Sequence, residues 1–317
     1  MYKLLVISLL SLIIISGCKV EEEAVIQEFA TPEQVFIENL PEGSFGTPIS
    51  TEEPFISRDG KYLFFNTAHS ENNKDLHYAI RSGISWVYSG EIGPDLNDTK
   101  EVQGNPTMDS FRNFFYIDSG VEHMVIRGIF SEQSGILESV AEFTAVPKRV
   151  VDISKGTLTG NMGVEVSRNG DFIFFSSAVW KFEGTKVITI TGSDLKLIFR
   201  VNGNYVFDEN ESFKIMKNIN TSDLEYAASI SSDGLELFFT RLLVSDLESG
   251  VFRSRIMYSV RDSLNSPFNP AVMIGSIGPD DFVEGPAITD DGSELYYHKK
   301  VGEKFRLFKV KRELNNE

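Results

Sequence analysis

The carboxylates are the residues whose spacing could do chemistry. Glu52 and Glu284 each stand two residues before a proline in one short pattern, Glu-x-Pro-x-Ile-Ser/Thr. Glu101 and Glu225 fall within one position of that alignment, and Met162 takes the place in a further copy. Two carboxylates held face to face could take a cation or divide the acid and base work of glycoside hydrolysis. The plainer alternative is that they bond neighbouring backbone, since residues repeated by symmetry usually serve the repeat. Other catalytic patterns are missing. His69, His77, His123 and His298 share no ligand spacing, and most read as strand or loop surface residues. The sole cysteine, Cys18, excludes an intrachain disulfide framework and a thiolate metal cluster. No cofactor and no metal is expected.

These acids must be positioned by a repeat. Turn residues recur at Asp59-Gly60, Asp109-Ser110, Asn169-Gly170, Asp233-Gly234 and Asp291-Gly292. Asp-Gly and Asn-Gly favour hairpin turns because both residues reach positive φ at low cost. Beyond each turn comes a large apolar triplet: Leu63-Phe64-Phe65, Asn113-Phe114-Phe115, Ile173-Phe174-Phe175, Leu237-Phe238-Phe239 and Leu295-Tyr296-Tyr297. Adjacent large residues mean a strand covered on both faces. A hydroxyl residue precedes each turn, at Ser57, Thr107, Ser167, Ser231 and Thr289. Third strands follow at Leu76 to Arg81, Leu195 to Arg200, Ile256 to Arg261 and Leu307 to Arg312, with a poorer copy near His123 to Arg127. Fourth strands are predicted near Trp86 to Tyr88, Val140 to Thr144, Tyr205 to Phe207 with Ser212 to Lys214, and Val272 to Ile274.

Four antiparallel strands per unit, at this period, are the mark of a propeller blade. The pattern at Glu52 to Phe65 and Glu284 to Tyr297 resembles the WD40-like repeat of the TolB type, over roughly residues 30–312. Ile219-Asn220-Thr221 resembles that family's linker into the next blade. The resemblance implies an all-β fold, a five-bladed β-propeller of four-stranded antiparallel blades. It implies no single function, because such propellers host many roles. The last unit runs out at Arg312, and residues 33–40 alternate like a strand. They are expected to supply the missing outer strand and close the ring. Trp180 to Thr191 and Arg241 to Phe252 read as extended hairpins or loops. Trp86 is expected to pack the outer strand of the first unit.

Residues 1–17 carry one Lys and a short apolar core, a secretory signal rather than a span. The sequence Ile15-Ser16-Gly17-Cys18 resembles the bacterial lipobox, which implies cleavage before Cys18 and its lipidation, with acylation of the new amino terminus. Under the bacterial sorting rule that this resembles, Lys19 favours the outer membrane. Residues 18–30 then form a lipidated tether, and 31–317 a single propeller domain. Net charge is −16, and −17 without Lys3, which argues against a nucleic-acid partner. The expected function is a cell-envelope lipoprotein whose propeller binds a protein or an envelope polysaccharide without catalysis. The alternative is an envelope glycosidase using the channel acids Glu52, Glu225 and Glu284.

Overall fold

The computed structural model describes residues 25–26, 28–42, 49–70, 73–93, 102–119, 124–184, 186–251, 253–278 and 281–313. An N-terminal strap holds β1 (Val25–Ile26), β2 (Glu33–Gln34) and β3 (Ile37–Glu38). Unit one is β4 (Ser50–Ile56), β5 (Tyr62–Ser70), β6 (Asn73–Ser82) and β7 (Ser85–Glu91). Unit two is β8 (Gln103–Met108), β9 (Asn113–Asp118), β10 (Met124–Ser131) and β11 (Ile136–Glu142). The short β12 (Val150–Asp152) leads into unit three, β13 (Thr157–Val166), β14 (Phe172–Glu183), β15 (Lys186–Val201) and β16 (Asn204–Phe207). After helix α1 (Glu209–Met216), unit four is β17 (Leu224–Ile230), β18 (Glu236–Leu242), β19 (Ser254–Val260) and β20 (Val272–Ile274), with α2 (Val244–Glu248) inserted. Unit five is β21 (Val283–Ile288), β22 (Glu294–Val301) and β23 (Lys304–Lys311). The first strand of each unit contacts that of the next, and β21 contacts β4. The chain is an all-β propeller, the class the sequence implies.

The paired aromatics explain why the units stack. Leu63 and Phe65 face unit five, while Phe64 faces unit two. Ile173 and Phe175 face unit two, and Phe174 faces unit four. Leu237 and Phe239 face unit three, and Phe238 faces unit five. Leu295 and Tyr297 face unit four, and Tyr296 faces unit one. Alternate residues of a strand point to opposite faces, so each triplet feeds two separate cores. Burial of each such side chain is worth about 1.5–3 kcal/mol.

Unit two is out of step with the expected alignment. Met108 pairs with Phe114 where Ile56 pairs with Leu63. The true triplet is therefore Phe114-Phe115-Tyr116, and Asn113 stands outside it. Asp109, not Thr107, takes the hydroxyl position. Ser57 Oγ accepts the Tyr62 amide and bonds Asp59, whereas Asp109 Oδ1 accepts the Phe111 and Asn113 amides directly. The Arg112 amide bonds the Asp109 carbonyl as the Gly60 amide bonds that of Ser57. Arg112 thus holds the glycine's place, at φ 70° against 71° for Gly60, and the turn is one residue shorter.

Two further expectations are corrected. Of residues 33–40, only β2 completes unit five, antiparallel to β23 through Glu33–Lys309 and Gln34–Phe308. The chain then moves on, and β3 pairs parallel with β7 of unit one. β1 pairs parallel with β20 of unit four, and Phe29 is buried between units four and five. Residues counted with the tether in the sequence are thus joined to the ring. Ser212-Phe213-Lys214 form helix, not strand. Asp208 caps α1 by accepting the Asn210 and Glu211 amides, and Ile215 and Met216 pack between units three and four. Trp180 to Thr191 is a hairpin, the outer arms of β14 and β15. Trp86 packs against Tyr296, ring centroids 6.4 Å apart.

Candidate functional site

The first strands of units one, two, four and five carry one irregularity in common. The ladder shifts between Glu52 and Phe55, Gly104 and Thr107, Tyr226 and Ser229, and Glu284 and Ala287. Within these bulges Glu53, Asn105, Ala227 and Gly285 have φ of 50°, 54°, 50° and 63°. A bulge turns its extra residue off the ladder. Together with Pro54, Pro106 and Pro286 these residues surround an axial cavity of about 10 Å³, roughly the room one water needs. The axis is closed at this level.

The bulges also expose strand amides, and side chains of the neighbouring unit take them up. Glu53 Oε2 accepts the Asn105 amide at 2.6 Å, and Asn105 Oδ1 accepts that of Val164 at 2.7 Å. Glu165 Oε1 accepts the Ile230 amide at 3.3 Å, and Ser229 Oγ accepts that of Ile288 at 3.1 Å. The Glu53 amide donates to His298 Nδ1 at 3.0 Å, which completes the circle from unit five to unit one. A Cβ at Gly104 would overlap Glu53 Oε2, so the glycine there permits the reach.

Of the acids named from the sequence, Glu52 and Glu284 come to one mouth of the ring. Glu52 forms an ion pair with Lys74. Glu284 accepts from the Tyr226 hydroxyl and from His298 Nε2 at 3.3 Å. Because Nδ1 of His298 takes the Glu53 amide, the ring proton of the neutral imidazole sits on Nε2. Glu225 belongs elsewhere. Tyr226 holds the aligned position, and Glu225 is buried with Arg241 Nε at 2.7 Å and the Thr221 hydroxyl at 2.7 Å. It pins the linker into unit four. Glu101 and Cys18 lie outside the described residues. His77 and His298 are buried rather than superficial, His77 between the Thr67 and Tyr88 hydroxyls at 3.0 and 2.9 Å. The side chains of His69 and His123 are outside the described part. Among the described residues no cluster of His, Cys, Asp and Glu could hold a metal ion.

Two site residues escaped the sequence reading, Glu53 and Glu165. Glu53 sits beside Glu52 and also accepts from Asn66 Nδ2 at 2.8 Å. Burial lifts its carboxyl above the ordinary range, against the pull of Lys74. Burial acts on Glu284 in the same sense, but the His298 and Tyr226 hydrogen bonds and the Lys74 charge outweigh it and leave this carboxyl low. Burial disfavours the Lys74 ammonium, yet the Glu53 and Glu52 charges prevail and raise its pKa. The mouth therefore holds one firmly charged ammonium among carboxylates of unequal acidity. On the far side, Glu165 accepts from Arg58 at 3.1 Å and from the Thr107 hydroxyl. The Glu-Glu-Pro run at residues 52–54 was the available signal for Glu53; Glu165 had none.

Fold and site together define a β-propeller with a closed polar axis. No protein-family model matches the sequence, and no curated protein does. Similar solved structures exist at the level of fold. One is a glycoside hydrolase, with TM-score 0.55, 10% identity, and 90% of this chain and 93% of that one covered. Another is Zg3597, a family 117 glycoside hydrolase from the marine bacterium Zobellia galactanivorans, with TM-score 0.56, 10% identity, and 92% and 93% covered. TolB from Acinetobacter baumannii is matched at TM-score 0.44 and 11% identity, over 84% of this chain and 55% of that one.

Proposed function

We propose that the protein is a lipid-anchored propeller of the bacterial cell envelope, held at the outer membrane through Cys18, that binds a protein or envelope component without catalysis. The observation that carries this reading is the engagement of the acids. Glu53, Glu165, Glu225 and Glu284 each accept two or more hydrogen bonds from the protein itself. The axial cavity that Glu53 and Glu165 line has room for about one water. Rigid sheets with loops gathered at two ends suit recognition, and the TolB-type repeat and the lipobox at Ile15 to Cys18 support the envelope address.

A second reading, an envelope glycosidase, is favoured by one observation. Glu53 and Glu284 lie at the same mouth with their acidities pushed apart, as a general acid and a separate ionised carboxylate require. The two readings separate in a turnover screen of the purified protein against envelope and plant-type glycans, with Glu52→Gln, Glu53→Gln and Glu284→Gln alongside. The binding reading expects no hydrolysis by any of the four. Hydrolysis by the parent that one folded Gln variant loses would establish the enzyme instead.

A further inference from the structure

The opposite end of the ring, where the hairpin turns gather, offers a different chemistry. A cavity of about 190 Å³ lies between units one and two, lined by Arg58, Arg112 and Arg168 with Asp59, Asp109 and Ser110. Three guanidinium groups around one small cavity stand out in a chain of net charge −16. Their protein partners are Glu165 and the Val166 carbonyl for Arg58, Glu132 for Arg112 and Asp290 for Arg168. Each contact uses one nitrogen of a five-donor fork. Arg58 Nε is buried without a hydrogen-bond partner. Among the described residues, the two terminal nitrogens of Arg168 bond no protein group, since its ion pair runs through Nε.

The repeat supplies an independent pointer. Glycine holds the left-handed position in the other four turns, at Gly60, Gly170, Gly234 and Gly292. Unit two places Arg112 there, at φ 70°, a conformation that a long side chain adopts only under strain. The same turn is shortened by one residue, and Phe111, between Ser110 and Arg112 in the chain, is 66% exposed. A repeat position that forgoes its glycine for a cation lining a cavity has a use beyond the repeat.

We propose that this cavity binds a small oxyanion, the carboxylate of an acidic sugar or a phosphate group. The volume lies below the roughly 300–1,000 Å³ of drug-sized pockets, so it admits a single group or the end of a longer ligand. Guanidinium forks match carboxylate and phosphate oxygens in pairs. The inference names a ligand class for the binding module proposed above, rests on that reading, and does not involve the acidic mouth.

The test is calorimetric titration of the full-length protein in detergent, at low salt, with glucuronate, inorganic phosphate and glucose. Saturable binding of glucuronate or phosphate and none of glucose is expected; the tighter of the two names the source. Arg112→Gly puts glycine at the left-handed position, as in the other units, so it melts no lower than the parent while weakening the anion by about tenfold or more. Arg168→Gln weakens it likewise. Absence of saturable binding by either anion, glucose bound as tightly, or unchanged affinity in folded Arg112→Gly would overturn the site, and the glycan screen would still judge the binding module on its own.

Discussion

Removing Glu165 should unfasten the ring at its centre. The Glu165 and Arg58 side chains are 3% and 4% exposed, and Glu165 joins unit three to three other units through Arg58, Thr107 and the Ile230 amide. Glu165→Ala leaves the guanidinium buried with the Val166 carbonyl at 2.7 Å as its remaining hydrogen-bond partner. Breaking a buried pair in this way costs about 3–5 kcal/mol, a fall in Tm on the order of 10 °C for a domain of this size. Glu165→Gln keeps an acceptor for Thr107 and Ile230 and should cost only about 1–2 kcal/mol. Arg58→Met with Glu165→Leu removes both charges and should recover most of that loss. Urea unfolding of the four proteins measures this. Burial holds the Glu165 carboxyl above its ordinary 4.5, so the folded form keeps its proton to higher pH than the unfolded chain. Parent stability then falls as pH rises from 4.5 through the folded value, and the gap to the Gln variant narrows across that window. An Ala variant within about 1 kcal/mol of the parent, or a double variant no better than Ala, would refute the reasoning.

Glu53→Gln should likewise gain on the parent as pH rises above 4.5, because burial raises this carboxyl too; urea midpoints across the window would show parallel curves if Glu53 were solvated. Deleting residues 28–40 removes Phe29, β2 and β3, and each buried apolar side chain lost costs about 1.5–3 kcal/mol. An unchanged melting temperature and a monomer in sedimentation would speak against closure by the strap. Cys18→Ala should abolish incorporation of a labelled fatty acid; equal labelling of the variant would remove the lipid anchor from the proposal.

The propeller was legible because its cores are built from side chains that must recur. A strand between two neighbours needs large residues side by side, and Phe64-Phe65, Phe174-Phe175 and Phe238-Phe239 announce it. The hydroxyl before the turns of units one, three, four and five was legible for the same reason, being required by the turn's own amides. Unit two misled because Asp109 does the work of a serine and Arg112 that of a glycine, so matching letters set the copy one residue off. The axial bonds were illegible for another reason. Position 55 and its counterparts read Phe55, Thr107, Glu165, Ser229 and Ala287. Their acceptors meet backbone amides, which any residue provides. Glu225 failed as a channel acid because a one-residue offset turns a strand side chain to the other face.

The strap gives the ring a direction in which it can be pulled. A load applied to the chain ahead of Val25 meets the two-residue contact of β1 with Met273 and Ile274 first. Next come the Phe29–Arg312 bridge and the β2 contact with Lys309 and Phe308, and only then β3 on Trp86 and Val87. Tension therefore peels these short grips one after another. The bonds between units one and five at the axis, Glu53 to His298 among them, stay shielded until the last grip yields. A brief tug frays unit four's rim and can re-anneal, whereas a sustained one opens the circle.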